Sequence, residues 1–249
     1  MFPIRDLNPT HRTTYLTVAL IVANVLVFVF WQPFGQGAAA EAEFLYQRAA
    51  ISCELTEGRP LTFGEANTAQ CVSGGLGETA FPDKNVWLAV FTSLFLHANL
   101  VHLLGNMWFL WIFGDNVEDR FGHVLYLLLY LGAGIVGTVG FVLLRPHETV
   151  PLVGASGAIA GVLGAYLVMF PFRPVLAFAG FFLLPVPALL FIGLWFVAQF
   201  AVGDTNVAWE AHVAGFLAGA AAALLLRPFM TPPRPQPRPP RRVPIRRGW

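Results

Sequence analysis

Six stretches of this chain hold no Asp, Glu, Lys or Arg: residues 13–40, 85–114, 121–144, 149–172, 174–203 and 211–226. That spacing of charge constrains the fold more than any motif. A bilayer core about 30 Å thick needs ~20 apolar residues of helix at 1.5 Å rise. Five runs reach this outright. The sixth does so if it starts near Val207, with Glu210 tolerated at the interface. The reading is an all-α membrane protein with helices at about 15–33, 93–113, 122–144, 152–170, 175–200 and 207–226. The ten-residue alternation of a membrane β-barrel is absent. Only 12% of residues are charged and 56% are hydrophobic, whereas soluble domains carry about 25% charge. A disordered chain, a nucleic-acid module and an ordinary soluble enzyme are excluded. The first run is too long for a signal peptide and lacks a clear cleavage site, so it reads as a retained helix.

Six spans place both termini on one side. Residues 227–249 hold seven Arg and no acid. The positive-inside rule puts this end in the cytoplasm, and Arg173 on the 171–174 turn agrees. The 114–121 turn is net negative and does not help. The organisation is then a cytoplasmic N-terminus (1–14), a membrane domain (15–228) with an outer loop at about 34–90, and a disordered Pro/Arg-rich cytoplasmic tail (229–249). That tail reads as a topology anchor touching anionic lipid, or as a ligand for a proline-recognising partner. The outer loop holds both cysteines, Cys53 and Cys71. On the oxidising side these read as a disulfide closing about 19 residues, worth ~3 kcal/mol in the chain-entropy model. The alternative is two free thiols.

Polar groups at membrane depth are costly and mark function. The second helix carries His97, His102 and Asn106 in HANLVHLLGN; His102 and Asn106 share a face, and His97 lies about 140° from His102. The fourth opens on Gly154-Ala155-Ser156-Gly157, the sixth on Glu210-Ala211-His212-Val213-Ala214-Gly215. Ser156 and His212 each lie five residues, about 8 Å, below the outer boundary of a descending helix. Gly157 with Gly161, and Ala211 with Gly215 and Gly219, form small-residue stripes that let such helices approach closely. A Ser hydroxyl and an imidazole then come within hydrogen-bonding reach, as an activated nucleophile requires. Glu210 sits about 200° round the helix from His212, and Asp204 lies on the outer turn. The expectation is therefore a Ser/His dyad without an acid. Asn106, His102 and the Ser156 amide suit an oxyanion hole. Taken singly, each residue reads equally as packing or interhelical glue. A three-His metal site lacks Cys or acid ligands at that depth, and His97 is off the His102 face, so neither a metal nor another cofactor is expected.

At these residues the chain resembles the rhomboid intramembrane serine proteases of the bacterial six-helix type. HANLVHLLGN (97–106), GASG (154–157) and AHVAG (211–215) carry the resemblance, helped by GDNVE (114–118) and the opening MFPIRDLNPT. It implies a rhomboid-like bundle, with Ser156 as nucleophile and His212 as general base. Asn106, His102 and the Ser156 amide would stabilise the oxyanion. Gly154 and Gly157 would keep the turn narrow, and Gly215 would let the sixth helix close on the fourth. It also implies cleavage of single-pass transmembrane substrates near the outer face of the cell membrane. Entry would be gated by about 175–208, which includes Trp195 and Gln199. Two departures stand out. Trp87-Leu88 replaces a Trp-Arg pair that often precedes the second helix, and Ala160 stands where some members place a tyrosine under the histidine. The alternative function is a catalytically inactive rhomboid-like client-binding protein. A transporter would need polar residues along a path through the bilayer, and here they stop in the outer half. Membrane lipid and protein substrates are the expected partners; nucleic acid is not.

Overall fold

The computed structural model describes residues 1–201 and 207–230. The chain opens with strand β1 (Phe2–Asp6), then helix α1 (Tyr15–Leu26), continued by a π-helical turn at Val27–Trp31. Three short helices follow: α2 (Ala38–Arg48), α3 (Ser52–Glu57) and α4 (Phe63–Thr68). Then come α5 (Val86–Thr92), α6 (Leu100–Phe121), α7 (His123–Leu144), α8 (Ser156–Met169), strands β2 (Pro174–Ala179) and β3 (Phe182–Pro187), α9 (Ala188–Gln199) and α10 (Trp209–Leu225). The tail beyond residue 230 and Asp204 lie outside the described residues.

The all-α expectation needs correcting. β1, β2 and β3 form an antiparallel sheet in that order, and a hairpin occupies the first half of the expected fifth helix. Pro174, Pro185 and Pro187 explain this, because each lacks the N–H that a helix interior uses. Gly180 at φ +65° supplies the first position of a two-residue turn between Ala179 and Phe182. An unbroken apolar run fits a strand as well as a helix.

The second helix also differs from 93–113. It runs from Leu100 to Phe121, and α5 precedes it across a 74° bend. Its acidic end, expected as a turn, stays helical because Glu118 is compensated. The Glu118 carboxylate accepts from the Leu16 and Thr17 amides at 3.0 and 2.7 Å and from the Thr17 hydroxyl at 2.7 Å. A carboxylate at a helix N-terminus is favoured by the unpaired amides and the dipole there. His123 Nδ1 adds a contact at 2.7 Å. Gly114 opens the space, since a Cβ there would press on the Tyr126 hydroxyl and Thr17. The fourth helix begins at Ser156 rather than near 152.

By length and hydropathy, His123–Leu144 is apolar enough to cross a membrane. Val86–Phe95 with Leu100–Phe121 passes as a bent pair, and Tyr15–Trp31, Ser156–Met169, Ala188–Gln199 and Trp209–Leu225 are shorter apolar helices. α7, α8 and α10 pack against one another, and α8 residues 157–166 are all buried. The α8–α10 seam is built on glycine: a Cβ at Gly215 would overlap the Gly157 carbonyl, and one at Gly219 the Gly161 carbonyl. Large apolar side chains such as Val101, Trp111, Val124 and Leu143 point outward. Outward-facing apolar side chains over an apolar core suit a lipid surround.

The segment between α1 and α5 packs on the helix ends around a small core of Ile51, Cys53 and Leu61. Cys53 and Cys71 are disulfide-bonded, with Cα atoms 5.7 Å apart. Arg59 forks onto Glu65 at 2.8 and 2.7 Å, and Lys84 pairs with Glu54. The backbone of Ala50 bridges to Leu152, and its amide donates to Ser93 Oγ at 2.6 Å. The segment is thereby tied to the loop that leads into α8.

Candidate active site

Ser156 opens α8, and the chain arrives there through a sharp turn. Gly154 sits at φ +121°, a conformation that favours glycine. A Cβ there would also come within 2.7 Å of His102 Cε1. The Gly154 amide donates to the Ser93 carbonyl at 3.0 Å, pinning the turn to the end of α5. The absence of a side chain at 154 is thus what lets the His102 ring lie beside the nucleophile candidate.

His212 comes from α10, across the glycine seam. Its Nε2 is 2.8 Å from Ser156 Oγ. Its other ring nitrogen, Nδ1, is 2.7 Å from Gln199 Oε1 on α9. Trp195, one turn earlier on α9, lies with its ring centroid 6.2 Å from the imidazole. Where the sequence places Ala160 instead of a tyrosine, Trp195 and Gln199 therefore supply the surroundings of the ring from a different helix. Ala160 itself is fully buried in the core.

A cavity of about 580 Å³ opens over these groups, lined by Gly154, Ser156, Gly157, His102, Gly134 and His212 among others. Asn106 is buried one turn below His102, and its side-chain amide donates to the His102 carbonyl at 3.0 Å. One of its two amide hydrogens is thus committed to its own helix. His97 is not on the helix with His102, as expected from sequence, but in the break before α6. Its buried ring meets the His102 ring edge-on at 5.2 Å. Its backbone is held on both sides by Gln32, which donates to the His97 carbonyl at 2.8 Å and accepts from its amide at 2.9 Å.

Glu210 is buried and contacts Arg145, the residue that caps the end of α7. It faces away from the imidazole, as the helix phase predicts. Among the described residues, no carboxylate contacts His212. The one group of His, Cys and acid side chains tight enough for an ion is Cys53, Glu65 and Cys71 among those residues. The disulfide removes its thiolates, and Glu65 is engaged by Arg59. Trp87 and Leu88 lie exposed on α5, capped by the Asn85 side chain.

Sequence reasoning named Gln199 only as part of a gate. The available signal was a lone amide in an uncharged run, four residues after Trp195.

Comparison with known proteins adds four findings. The model of the rhomboid domain matches residues 84–229. The chain is 32% identical over 163 residues to rhomboid protease GluP of Bacillus subtilis, covering 65% of this chain and 31% of that one. It is 31% identical over 141 residues to rhomboid protein 1, mitochondrial, of Saccharomyces cerevisiae, covering 53% and 40%. It is 25% identical over 232 residues to RHOMBOID-like protein 12, mitochondrial, of Arabidopsis thaliana, covering 85% and 58%. The chain therefore spans between about a third and three fifths of the lengths of these relatives.

Proposed function

The chain belongs to the rhomboid family, a family of helical membrane proteins, and from that premise we propose that it is an intramembrane serine endopeptidase. It cleaves transmembrane protein substrates near the outer face of the cell membrane. Its spans are the apolar helices Tyr15–Trp31, Leu100–Phe121, His123–Leu144, Ser156–Met169, Ala188–Gln199 and Trp209–Leu225, both termini face the cytoplasm, and the disulfide-bonded segment lies outside. The Arg-rich end supports that orientation, as do the cysteines on the end of the molecule where Ser156 lies.

The single observation that carries the reading is the 2.8 Å contact between Ser156 Oγ and His212 Nε2 inside a cavity walled by apolar helices. His212 Nε2 takes the hydroxyl proton as Oγ adds to the scissile carbonyl, and returns it to the leaving amine as the C–N bond breaks. Water then hydrolyses the acyl-enzyme by the same proton transfers. The tetrahedral oxyanion is met by donors at the start of α8, by His102 and by the remaining Asn106 amide hydrogen. No metal or cofactor is needed for these steps.

A fluorophosphonate probe tests the reading. Covalent labelling of the wild type at Ser156, and none of Ser156→Ala, is the expected result. A folded wild type that stays unlabelled would favour a client-binding protein without catalysis.

A further inference from the structure

We propose that Gln199 is the positioning residue of the dyad. Its amide carbonyl accepts the proton on His212 Nδ1, leaves Nε2 free for Ser156, and makes this alignment depend on α9 being seated against α10. The inference rests on the reading of Ser156 and His212 given above.

The orientation of the Gln199 amide follows from its second contact. Gln199 Nε2 lies 3.1 Å from the Trp195 carbonyl, which can only accept. The NH2 end must therefore face Trp195, and the oxygen faces His212 Nδ1 at 2.7 Å. An acceptor at Nδ1 demands a proton there, and a neutral imidazole then has its lone pair on Nε2. Which nitrogen of a histidine is protonated is set by the partner of the other nitrogen. Here that partner is a neutral amide. It fixes the tautomer as a triad carboxylate would, but offers no negative charge to the imidazolium. The titratable groups lining the cavity with His212 are His102, Tyr46, Arg145 and Glu148, and Glu210, two residues before His212, is engaged by Arg145.

The dependence on α9 follows from how that helix is held. Its base is fixed: the Ala188 amide donates to the Arg173 carbonyl and the Leu189 amide to the Pro171 carbonyl, both at 2.8 Å, and Phe191 stacks on Phe113. Above Ile192, Gln199 is the single buried residue of the helix. What else holds this upper half is aromatic contact: Phe196 on Phe216 at 4.5 Å, Trp195 on His212 and Phe216 at 6.2 and 6.3 Å, and Phe200 on Trp209 at 5.5 Å. A segment with few buried contacts opens at low free-energy cost. Tilting it outward withdraws the Gln199 oxygen and leaves the imidazole free to turn.

The test uses the full chain in detergent or lipid. With 15N-labelled histidine, and His212 assigned from His212→Asn, the wild type should show Nδ1 protonated and Nε2 bare. Gln199→Leu should lose that tautomer, label with the fluorophosphonate about 10- to 100-fold more slowly, and lower kcat with KM unchanged. Gln199→Glu should keep labelling while the pH midpoint of the rate rises by roughly one unit or more, because a carboxylate favours the imidazolium. A purely structural glutamine would not move that midpoint. Phe196→Ala, which loosens α9 without touching the dyad, should populate the other tautomer. A wild type protonated on Nε2, or a folded Gln199→Leu that keeps Nδ1–H, would overturn the positioning role. Unchanged tautomer populations in Phe196→Ala would overturn the coupling to α9. Absence of Ser156 labelling in the wild type would instead sink the protease reading, and the tautomer measurement would still judge Gln199.

Discussion

Asn106 has one amide hydrogen to offer an oxyanion, because the other is held by the His102 carbonyl. Asn106→Ala should still slow turnover by ~10²-fold, the usual cost of losing one such donor, with normal expression. An unchanged rate, measured on a fluorogenic transmembrane substrate, would make Asn106 a strut for α6. Gly154→Ala should do more damage, since it asks a Cβ to sit at φ +121° and against the His102 ring. We expect loss of probe labelling together with a lower melting temperature, from strain of about 1–3 kcal/mol. At this scale the sequence was informative. Small-residue stripes bring the helices of Ser156 and His212 together and helix phase turns Glu210 away, although the depth count started α8 about five residues too early. The partner of His212 Nδ1 was not legible, because it comes from α9, and nothing in the local sequence fixes the phase of one helix against another.

The elements were legible where polar punctuation is clear and illegible where one apolar run fits two structures. His123–Leu144 was expected within one residue of its observed bounds. The hairpin Pro174–Pro187 was read as helix because uncharged length was counted and proline spacing was not. That hairpin pairs with β1, whose last residue, Asp6, is half-buried and accepts from Asn116 Nδ2 at 2.7 Å. Burial pushes the Asp6 carboxyl up from its ordinary 3.8 to about 7. A raised carboxyl stabilises most when protonated, so its contribution is complete below about 3.8 and is lost as pH rises through about 7. Amide exchange at Leu7, which donates to the Pro174 carbonyl, should accelerate across that window, and Asp6→Asn should abolish the dependence. Exchange that is flat with pH in the wild type would contradict it. At the α8–α10 seam, Gly219→Leu should unfold or inactivate the protein, because the side chain has only the Gly161 backbone to displace.

On the scale of the whole molecule, the disulfide-bonded segment between α1 and α5 holds the Cys53–Cys71 bridge and the ionised Glu65, so its stability should depend on redox state and acid. The Arg59 guanidinium and the Thr62 and Val72 amides hold the Glu65 carboxylate down at about 2 from its ordinary 4.5. A lowered carboxyl stabilises when ionised, so that contribution stands above about 4.5 and is lost as pH falls toward 2. Arg59→Met should flatten this acid limb of the melting curve; an identical limb would place the sensitivity elsewhere. Reduction of the Cys53–Cys71 bridge should cost on the order of 3 kcal/mol locally and leave probe labelling of Ser156 in place. The Cys53 amide donates to the Glu148 carbonyl at 3.0 Å, in the loop that leads into α8, yet neither the bridge nor the Arg59–Glu65 fork touches the dyad. The central claim is that Ser156 and His212 together hydrolyse a peptide bond within the membrane. Its most direct test is to co-reconstitute the chain with a single-pass transmembrane substrate in liposomes and weigh the products by mass spectrometry. We expect two fragments differing from the substrate by one water, from the wild type and not from Ser156→Ala or His212→Ala; fragments from either variant at the wild-type rate would contradict the account.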